Sequence, residues 1–355
     1  MTALVTVEEI RAAARRLDGV IVRTPLVPFP DTEPRLLIKP ESLQPTGAFK
    51  LRGAFAAISA LPAGQRARGV VAHSSGNHGL AVAYAAEVLG VPAVVVVPHN
   101  AAEVKVAAAA RHGARIVTVE PTLEARIAGA QEFVDRHGYT LIPPFDHREV
   151  IAGQGTIGLE IVADCPDVDM VLVPISGGGL IAGITAAVCA ARPEAKVIGV
   201  EPELAADARD SFRRGERVAW PPSATGRTIA DALRVEQIGA LPLRHILAQV
   251  HDIVTVTEDE IREAVRLTAT RARLVAEPGG VVAVAAWLFR QDLPAARAPV
   301  AVLSGGNIAP ALLADILAGP PGPVPRPGTA VQDAPRPVDV PAAGPAGAGA
   351  APGPG

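Results

Sequence analysis

The chain has 355 residues, 49% of them apolar, and its 33 basic and 36 acidic side chains give a formal net charge of −3. No apolar run is long enough to span a bilayer, and no basic stripe or basic amphipathic segment points to nucleic acid or a membrane surface. Met1–Leu17 carries Glu8, Glu9 and three arginines in a helical pattern unlike a signal peptide, so a cytoplasmic, enzyme-sized globular protein is expected.

Short β-branched runs alternate with longer alanine-rich helical ones, the pattern of βα units on a parallel sheet. In chain order the sequence predicts a strand at Arg35–Lys39, a helix at Phe49–Leu61, a strand at Gly69–His73 and a helix at Asn77–Leu89. A strand at Ala93–Val97, a helix at Ala101–Arg111, a strand at Arg115–Val119 and a helix at Leu123–Arg136 follow. Then come a strand at Asp169–Pro174, a helix at Leu180–Ala191, and strands at Lys196–Glu201 and Ile253–Val256. The series closes with a helix at Thr257–Ala276, a strand at Val300–Leu303 and a helix at Ile308–Leu317. Thr257-Glu258-Asp259-Glu260 is a capping box with an acidic first turn that suits the helix dipole. From Pro320 to Gly355, 11 of 36 residues are Pro, 7 are Gly and 8 are Ala, which offers little apolar surface to offset ordering, so residues 319–355 read as a disordered tail. Cys165 and Cys189 form neither a disulfide framework nor a metal motif and read as small buried apolar residues.

Only four of the basic residues are lysines: Lys39, Lys50, Lys105 and Lys196. Lys50 sits in Thr46-Gly47-Ala48-Phe49-Lys50-Leu51-Arg52-Gly53-Ala54, where a turn runs into an apolar helical pattern. A lysine among apolar neighbours loses its proton more readily and can form a Schiff base with a carbonyl cofactor; taken alone, Lys50 reads more readily as an ordinary surface lysine at a helix start. Three further turns lie at strand ends. Ser74-Ser75-Gly76-Asn77-His78-Gly79 offers hydroxyls, an amide and free N–H groups at a helix start, suited to a carboxylate or phenolate oxygen. Ser176-Gly177-Gly178-Gly179 lets backbone wrap a phosphate at another helix N-terminus. In Leu303-Ser304-Gly305-Gly306-Asn307 a hydroxyl could meet a ring nitrogen. The G-x-G-x-x-G spacing of a dinucleotide site and the G-x-x-x-x-G-K of a P-loop are both absent. Together the four turns describe one phosphorylated, carbonyl-bearing ligand at the carboxyl ends of strands.

The order TGAFKLRGA, SSGNHG, SGGGL, EPGG and LSGGN resembles the fold-type II pyridoxal-phosphate enzymes, specifically the threonine/serine dehydratase and serine racemase branch, over roughly Val7 to Leu317. Val150–Thr156, Thr228–Asp231 and Thr255–Ile261 add to the match. The resemblance implies an α/β protein of two domains, tryptophan synthase β-like, with parallel sheets flanked by helices. Residues 1–68 and 147–318 would form the large cofactor-binding domain, with 69–146 a small domain inserted in it. It implies pyridoxal 5'-phosphate on Lys50, with Phe49 near the ring and Asn77 on the phenolic oxygen. Ser176, Gly177, Gly178 and Gly179 would cradle the phosphate, Ser304 would face the pyridine nitrogen, and Glu277 would lie near the ring. Ser74, Ser75, Gly76 and His78 would take the carboxylate of an amino-acid substrate, with Ser75 on the ring face opposite Lys50. Ser176 replaces the usual first glycine of a four-glycine loop and adds a hydroxyl donor, while Ala48 stands where many relatives have serine. A homodimer is expected on the same ground.

The implied chemistry is β-elimination from L-threonine, L-serine or a related β-hydroxy amino acid. Racemisation of serine or an aspartate-type amino acid needs a second acid/base, for which Ser75 stands ready. Pro144-Phe145-Asp146 favours the dehydratase, because an apolar Phe145 suits a threonine methyl. Arg126 reads either as a solvated helix arginine or as a contact for an extra acidic group, as in a 3-hydroxyaspartate dehydratase. Glu201, Ala205 and Asp207 resemble the divalent-cation site of some relatives, two carboxylates and a carbonyl for Mg²⁺ or Ca²⁺, or else an acidic loop capping a helix. From a different class, a protein that binds the cofactor without catalysis stays open.

Overall fold

The computed structural model describes residues 3–74, 76–101 and 103–326. Its ten strands are β1 (Val27–Pro28), β2 (Leu37–Pro40), β3 (Val70–Ala72), β4 (Ala93–Pro98), β5 (Arg115–Val119), β6 (Thr140–Leu141), β7 (Met170–Pro174), β8 (Lys196–Pro202), β9 (Asp252–Val256) and β10 (Pro299–Leu303). They form two sheets that share no strand. One has the order β1-β2-β10-β7-β8-β9, the other β5-β4-β3-β6. Every pairing is parallel except β1 with β2. The four strands of the smaller sheet are contiguous in sequence, while the larger sheet takes β1 and β2 from before them and β7 to β10 from after.

Parallel strands covered on both faces must be apolar throughout. Accordingly β7 and β10, at the centre of the larger sheet, are buried at every residue. Against them lies the helix Pro278–Phe289, also buried at all twelve positions, with Trp287 only 1% exposed. Pro278-Gly279-Gly280 reads as a helix-breaking turn in sequence; in the structure Pro278 opens this helix, where its missing N–H is no loss. The expected helix at Thr257–Ala276 is shorter. It is α-helical over Glu258–Leu267, opened by the Thr257–Glu260 capping box, then passes through a π turn at Thr268–Ala272 and ends on Arg273 at φ 57°. Beyond the helix Pro310–Ala318, residues 320–326 lie back on this part of the molecule. The Gly322 N–H donates to Glu263 Oε2 at 2.8 Å, Arg326 N–H to the Leu288 carbonyl at 2.8 Å, and the Arg326 guanidinium stacks 4.2 Å from the Trp287 ring. The rest of the tail lies outside the described residues.

The helix Lys50–Ala60 joins the two sheets, packing against Arg148–Asp164 on one side and Asn77–Leu89 on the other. Its first turn is pinned by charge. Arg52, with no exposed surface, donates to Glu41 Oε2 and Oε1 at 2.7 and 2.8 Å, to Glu160 Oε1 and Oε2 at 2.6 and 2.9 Å, and to Thr156 Oγ1 at 3.0 Å. Lys39, also fully buried, completes the group on Glu160. Two cations thus balance two anions in a dry space, an arrangement that tolerates loss of neither sign.

Arg52→Met should therefore lower the unfolding free energy of the protein by ~3–5 kcal/mol in urea titration, because two carboxylates lose their cation. Arg136→Ala, which removes an exposed partner of Glu132, should lose less than about 1 kcal/mol. Equal losses for the two variants would show that the buried group contributes nothing special.

Candidate active site

All four turns singled out in the sequence stand at carboxyl ends of strands, where open α/β sheets place their ligands. The Lys50 turn follows β2, Ser74–His78 follows β3, Ser176–Gly179 follows β7, and Ser304–Asn307 follows β10. Backbone bonds sew two of them together. Ala48 and Gly305 form an antiparallel bridge, Phe49 N–H donates to the Ser304 carbonyl at 3.0 Å, and Gly306 N–H donates to the Gly47 carbonyl at 2.9 Å. Ser304 is 5% exposed, and its own N–H is held by the Gly280 carbonyl.

Lys50 begins its helix directly after Phe49, whose ring centroid lies 5.0 Å from Nζ. Among the described residues, Nζ makes one polar contact, donating to the Pro144 carbonyl at 2.9 Å. Part of the residue reaches the surface, but the amine itself is desolvated, and with no counter-charge to offset this its pKa falls to about 8. His78 nearby is pushed down to about 3, first by burial and then by the Lys50 charge, so its ring is neutral. Its Nε2 lies 2.8 Å from the Ile142 carbonyl, and a neutral ring meets that oxygen as a donor. The side chain tethers the helix Asn77–Leu89 to the residue after β6, and only its backbone remains for an anion.

Asn77 is the first residue of that helix, and its Nδ2 donates to Glu277 Oε1 at 2.6 Å across the cleft between the sheets. Gly76 precedes it as the N-cap, and the Gly76 N–H turns back onto Ser74 Oγ at 3.3 Å. Ser75 lies outside the described residues. Glu277 is 4% exposed and its N–H is held by the Gly305 carbonyl.

The glycine loop opens the helix Gly179–Ala191, with Gly178 at φ +86° as its N-cap. A side chain at Gly177 is excluded, because a Cβ there would stand 2.1 Å from the Phe145 ring. Phe145 is thus seated on the loop, and Asp146 fixes it by accepting from the N–H groups of Ala240 and Leu241 at 2.8 and 3.0 Å. Ser176 beside it is half-buried. Thirteen residues of helix behind an uncluttered loop make a cradle for phosphate. A depressed lysine, this cradle, an amide donor and a buried neutral hydroxyl fit the aldehyde, phosphate, phenolic oxygen and ring nitrogen of pyridoxal phosphate.

Four expected residues, in two places, lie off this centre. Arg126 is on the helix Leu123–His137, half-buried, and lowers the pKa of His73 as the second cause after burial. Its Nε donates to the Thr122 carbonyl at 3.4 Å, and its charge is felt at the residue just before the Ser74 turn. Glu201 ends β8 and Asp207 begins the helix Asp207–Arg214, with buried Ala205 between. Glu201 accepts from the N–H groups of Ala208 and Arg209, whereas both Asp207 carboxylate oxygens are buried without a hydrogen-bond partner. Burial lifts both acids, Asp207 to about 7, and each is held further from ionising by an acidic neighbour. Among the described residues no cluster of three or more acidic, His or Cys side chains could hold a metal, so this pair would need carbonyls and water to complete a shell. Sequence reasoning misses His73, the Pro144 carbonyl and Asn307; each adjoins a turn marked in the sequence, but their roles come from contacts across the cleft.

Comparison with known proteins agrees with this geometry. The sequence pattern described as pyridoxal-phosphate dependent enzyme matches residues 17–305. The chain is 40% identical to the L-threonine ammonia-lyase of Thermotoga maritima over 86% of its own length and 76% of that protein's. It is 36% identical to the L-threo-3-hydroxyaspartate ammonia-lyase of Saccharomyces cerevisiae, covering 88% and 97% of the two chains. Maize serine racemase superposes with a TM-score of 0.84 at 34% identity, over 88% of this chain and 97% of that one. No helix among the described residues is long and apolar enough to cross a membrane.

The lowered pKa makes a kinetic prediction. Below about pH 8 the Lys50 amine is protonated and has no lone pair; above it the amine is free. Capture of an added aromatic aldehyde by the protein, followed by absorbance and mapped to Lys50 after borohydride reduction, should rise with a midpoint near 8. A rate still climbing steeply at about pH 10, as for an ordinary lysine, would contradict the desolvated setting.

Proposed function

Since the chain belongs to the pyridoxal-phosphate dependent enzyme family, we propose that it is an ammonia-lyase acting on L-threonine, L-serine or a related β-hydroxy amino acid, with a 2-oxo acid and ammonia as products. The observation that carries this reading is the desolvated Lys50 amine, held by a single carbonyl between the two sheets. Pyridoxal phosphate, when bound, supplies the aldehyde that takes up the substrate amine and an electron sink for charge at Cα. Lys50 anchors the cofactor and then, freed by the substrate amine, takes the Cα proton at Nζ. The Cβ–OH bond breaks, the hydroxyl leaving as water with the proton that Nζ carries, and hydrolysis of the released enamine gives the oxo acid and ammonia. The N–H groups at the start of the helix Asn77–Leu89, with Ser74, Ser75 and Gly76, orient the substrate carboxylate. Ser176 and Gly177–Gly179 would hold the phosphate, Asn77 would meet the phenolic oxygen, and Phe49 and Glu277 would lie near the ring. Ser304, a neutral hydroxyl, does not keep the ring nitrogen protonated as a carboxylate would, which favours elimination over long-lived carbanion chemistry. Phe145, on the wall of the cleft, limits the space for the substrate side chain.

A second reading of the substrate has its own support. The Arg126 charge acts on His73, beside the Ser74 turn, which supports a role for this guanidinium in receiving the distal carboxylate of a 3-hydroxyaspartate. The yeast relative named above is an ammonia-lyase for that amino acid. Racemisation rests on Ser75 and on likeness to serine racemase. A homodimer in the cytoplasm belongs with the same reading, on resemblance. Glu201, Ala205 and Asp207 complete the proposal as a site for Mg²⁺ or Ca²⁺, supported by the two partnerless Asp207 oxygens in a buried setting.

A panel of L- and D-serine, L-threonine and the 3-hydroxyaspartates, scored separately for oxo acid and for inverted amino acid, tests the reaction. Oxo acid should be released, and Lys50→Ala should lose ~10²–10⁴-fold in turnover along with the bound cofactor's visible absorption. A protein that takes up the cofactor yet releases no oxo acid from any of these would be a binding protein instead. Arg126→Met should lower kcat/KM for a 3-hydroxyaspartate about tenfold more than for threonine; an equal loss removes the distal-carboxylate contact.

The cation is checked by melting. Mg²⁺ or Ca²⁺ should raise the Tm of the wild-type protein and chelation should reverse the gain. Asp207→Asn should abolish the response, and a wild-type Tm indifferent to both treatments would dismiss the site.

A further inference from the structure

An amide side chain can face its site with either end, and which end faces the ligand decides whether it donates or accepts. For Asn77 the choice is made elsewhere. Asn307, in the turn after β10, donates from Nδ2 to the Thr46 carbonyl at 2.9 Å and to Asn77 Oδ1 at 2.8 Å. Asn77 in turn donates from Nδ2 to Glu277 Oε1 at 2.6 Å. The chain of bonds therefore runs from a backbone carbonyl, through two amides, to a side-chain carboxyl. A backbone carbonyl only accepts, so Nδ2 of Asn307 must face Thr46. The same Nδ2 also meets Asn77, so the Asn77 atom facing it must be the acceptor Oδ1, which turns Nδ2 of Asn77 toward Glu277. Both hydrogens of the Asn307 amide are committed by this, and one hydrogen of Asn77 Nδ2 is left to point into the cleft.

We infer that Asn307 is a positioning residue for cofactor binding: it locks the Asn77 amide so that an N–H, and not the carbonyl oxygen, faces the phenolic oxygen of pyridoxal phosphate. The three residues it joins belong to three different turns, after β2, β3 and β10, so the same two bonds also hold the Lys50 turn in register with the smaller sheet. Room for the Asn307 side chain is reserved by Gly47, at φ +71°, where a Cβ would lie 2.4 Å from Asn307 Oδ1. This rests on the role proposed above for Asn77.

Asn307→Asp keeps the shape and reverses the logic. The carboxylate has no N–H for Thr46 or for Asn77 Oδ1, and if the Asn77 amide flips to meet it, Oδ1 turns toward Glu277 and the cleft loses its donor. The test uses the full-length protein as wild type, Asn77→Ala, Asn307→Asp, and the double variant, with Asn307→Ala added as a charge-free version. Two quantities are read: the Kd for pyridoxal phosphate, and the pH midpoint of the bound cofactor's visible absorption. Losing the donor leaves more negative charge on the phenolic oxygen to hold the neighbouring proton, so the midpoint should move up, by about half a unit or more. Asn307→Asp should also weaken loading about tenfold. The double variant should be no worse than Asn77→Ala, because Asn307 acts through Asn77. Wild-type loading and midpoint in Asn307→Asp, or effects that simply add in the double variant, overturn the inference. If Asn307→Asp fails to melt cooperatively without cofactor, Asn307→Ala takes its place in the same cycle, where a weakened Kd with a raised midpoint supports the inference and wild-type values overturn it. If Asn77→Ala itself loads like wild type while Lys50→Ala does not, the role of Asn77 falls and takes the inference with it, leaving the lyase reading intact.

Discussion

The arrangement turns on how one helical turn treats two buried cations. Lys50 and Arg52 are two residues apart at the start of the same helix, and both carry their charged ends into the interior. Arg52 is met by Glu41 and Glu160, with Lys39 balancing the second carboxylate. Among the described residues, Lys50 is met by the Pro144 carbonyl alone. In a low-dielectric setting a carboxylate beside Lys50 would hold its proton firmly, and the amine would be useless as a base near neutrality. Arg52 is anchored by ion pairs with Glu41 and Glu160, whereas burial acts on the Lys50 amine in the same turn without an ion pair among the described residues. Firm placement and a labile proton come from two different side chains.

Around that turn the cleft is assembled from pieces that the chain supplies far apart. The larger sheet contributes the Ser304 and Ser176 loops, the smaller one the Ser74 turn, and Phe145 closes the wall from the segment that leads out of the smaller sheet. The segment from Phe145 to Asp146 has two jobs. Its ring occupies the space that a side chain at Gly177 would need, and its carboxylate caps the helix Ala240–Gln249. The width of the cleft at the phosphate end is therefore set by tertiary contacts between segments that lie far apart in sequence.

Much of this is legible in the sequence, for reasons that differ by element. Strands such as β4 and β7 announce themselves as short valine-rich runs, and β5 has the bounds its sequence predicts. The four turns are legible because their residue types carry the chemistry. Two long helices, Arg148–Asp164 and Pro278–Phe289, are not predicted as helices, because burial on nearly all sides erases the 3.6-residue apolar stripe. The π turn after Leu267 likewise leaves no periodic mark, so the helix expected there is too long. Asn307 stands inside a recognised motif, yet its meaning depends on Asn77, 230 residues earlier, and on Thr46. Amide orientation is a property of a network, and a network cannot be read from a string until the fold has closed it.

The packing of Arg326 over Trp287 redraws where the folded unit stops. Helical structure ends at Ala318, but the indole belongs to a helix with no exposed residue, and the guanidinium of Arg326, well past that end, forms part of its roof. Cutting the chain at the last helix would open that roof and wet an aromatic ring in the centre of the larger sheet's cover. For tagging or fusion, a junction placed no earlier than Arg326 keeps that roof closed, so a proline-rich strap that composition alone would discard belongs with the folded unit.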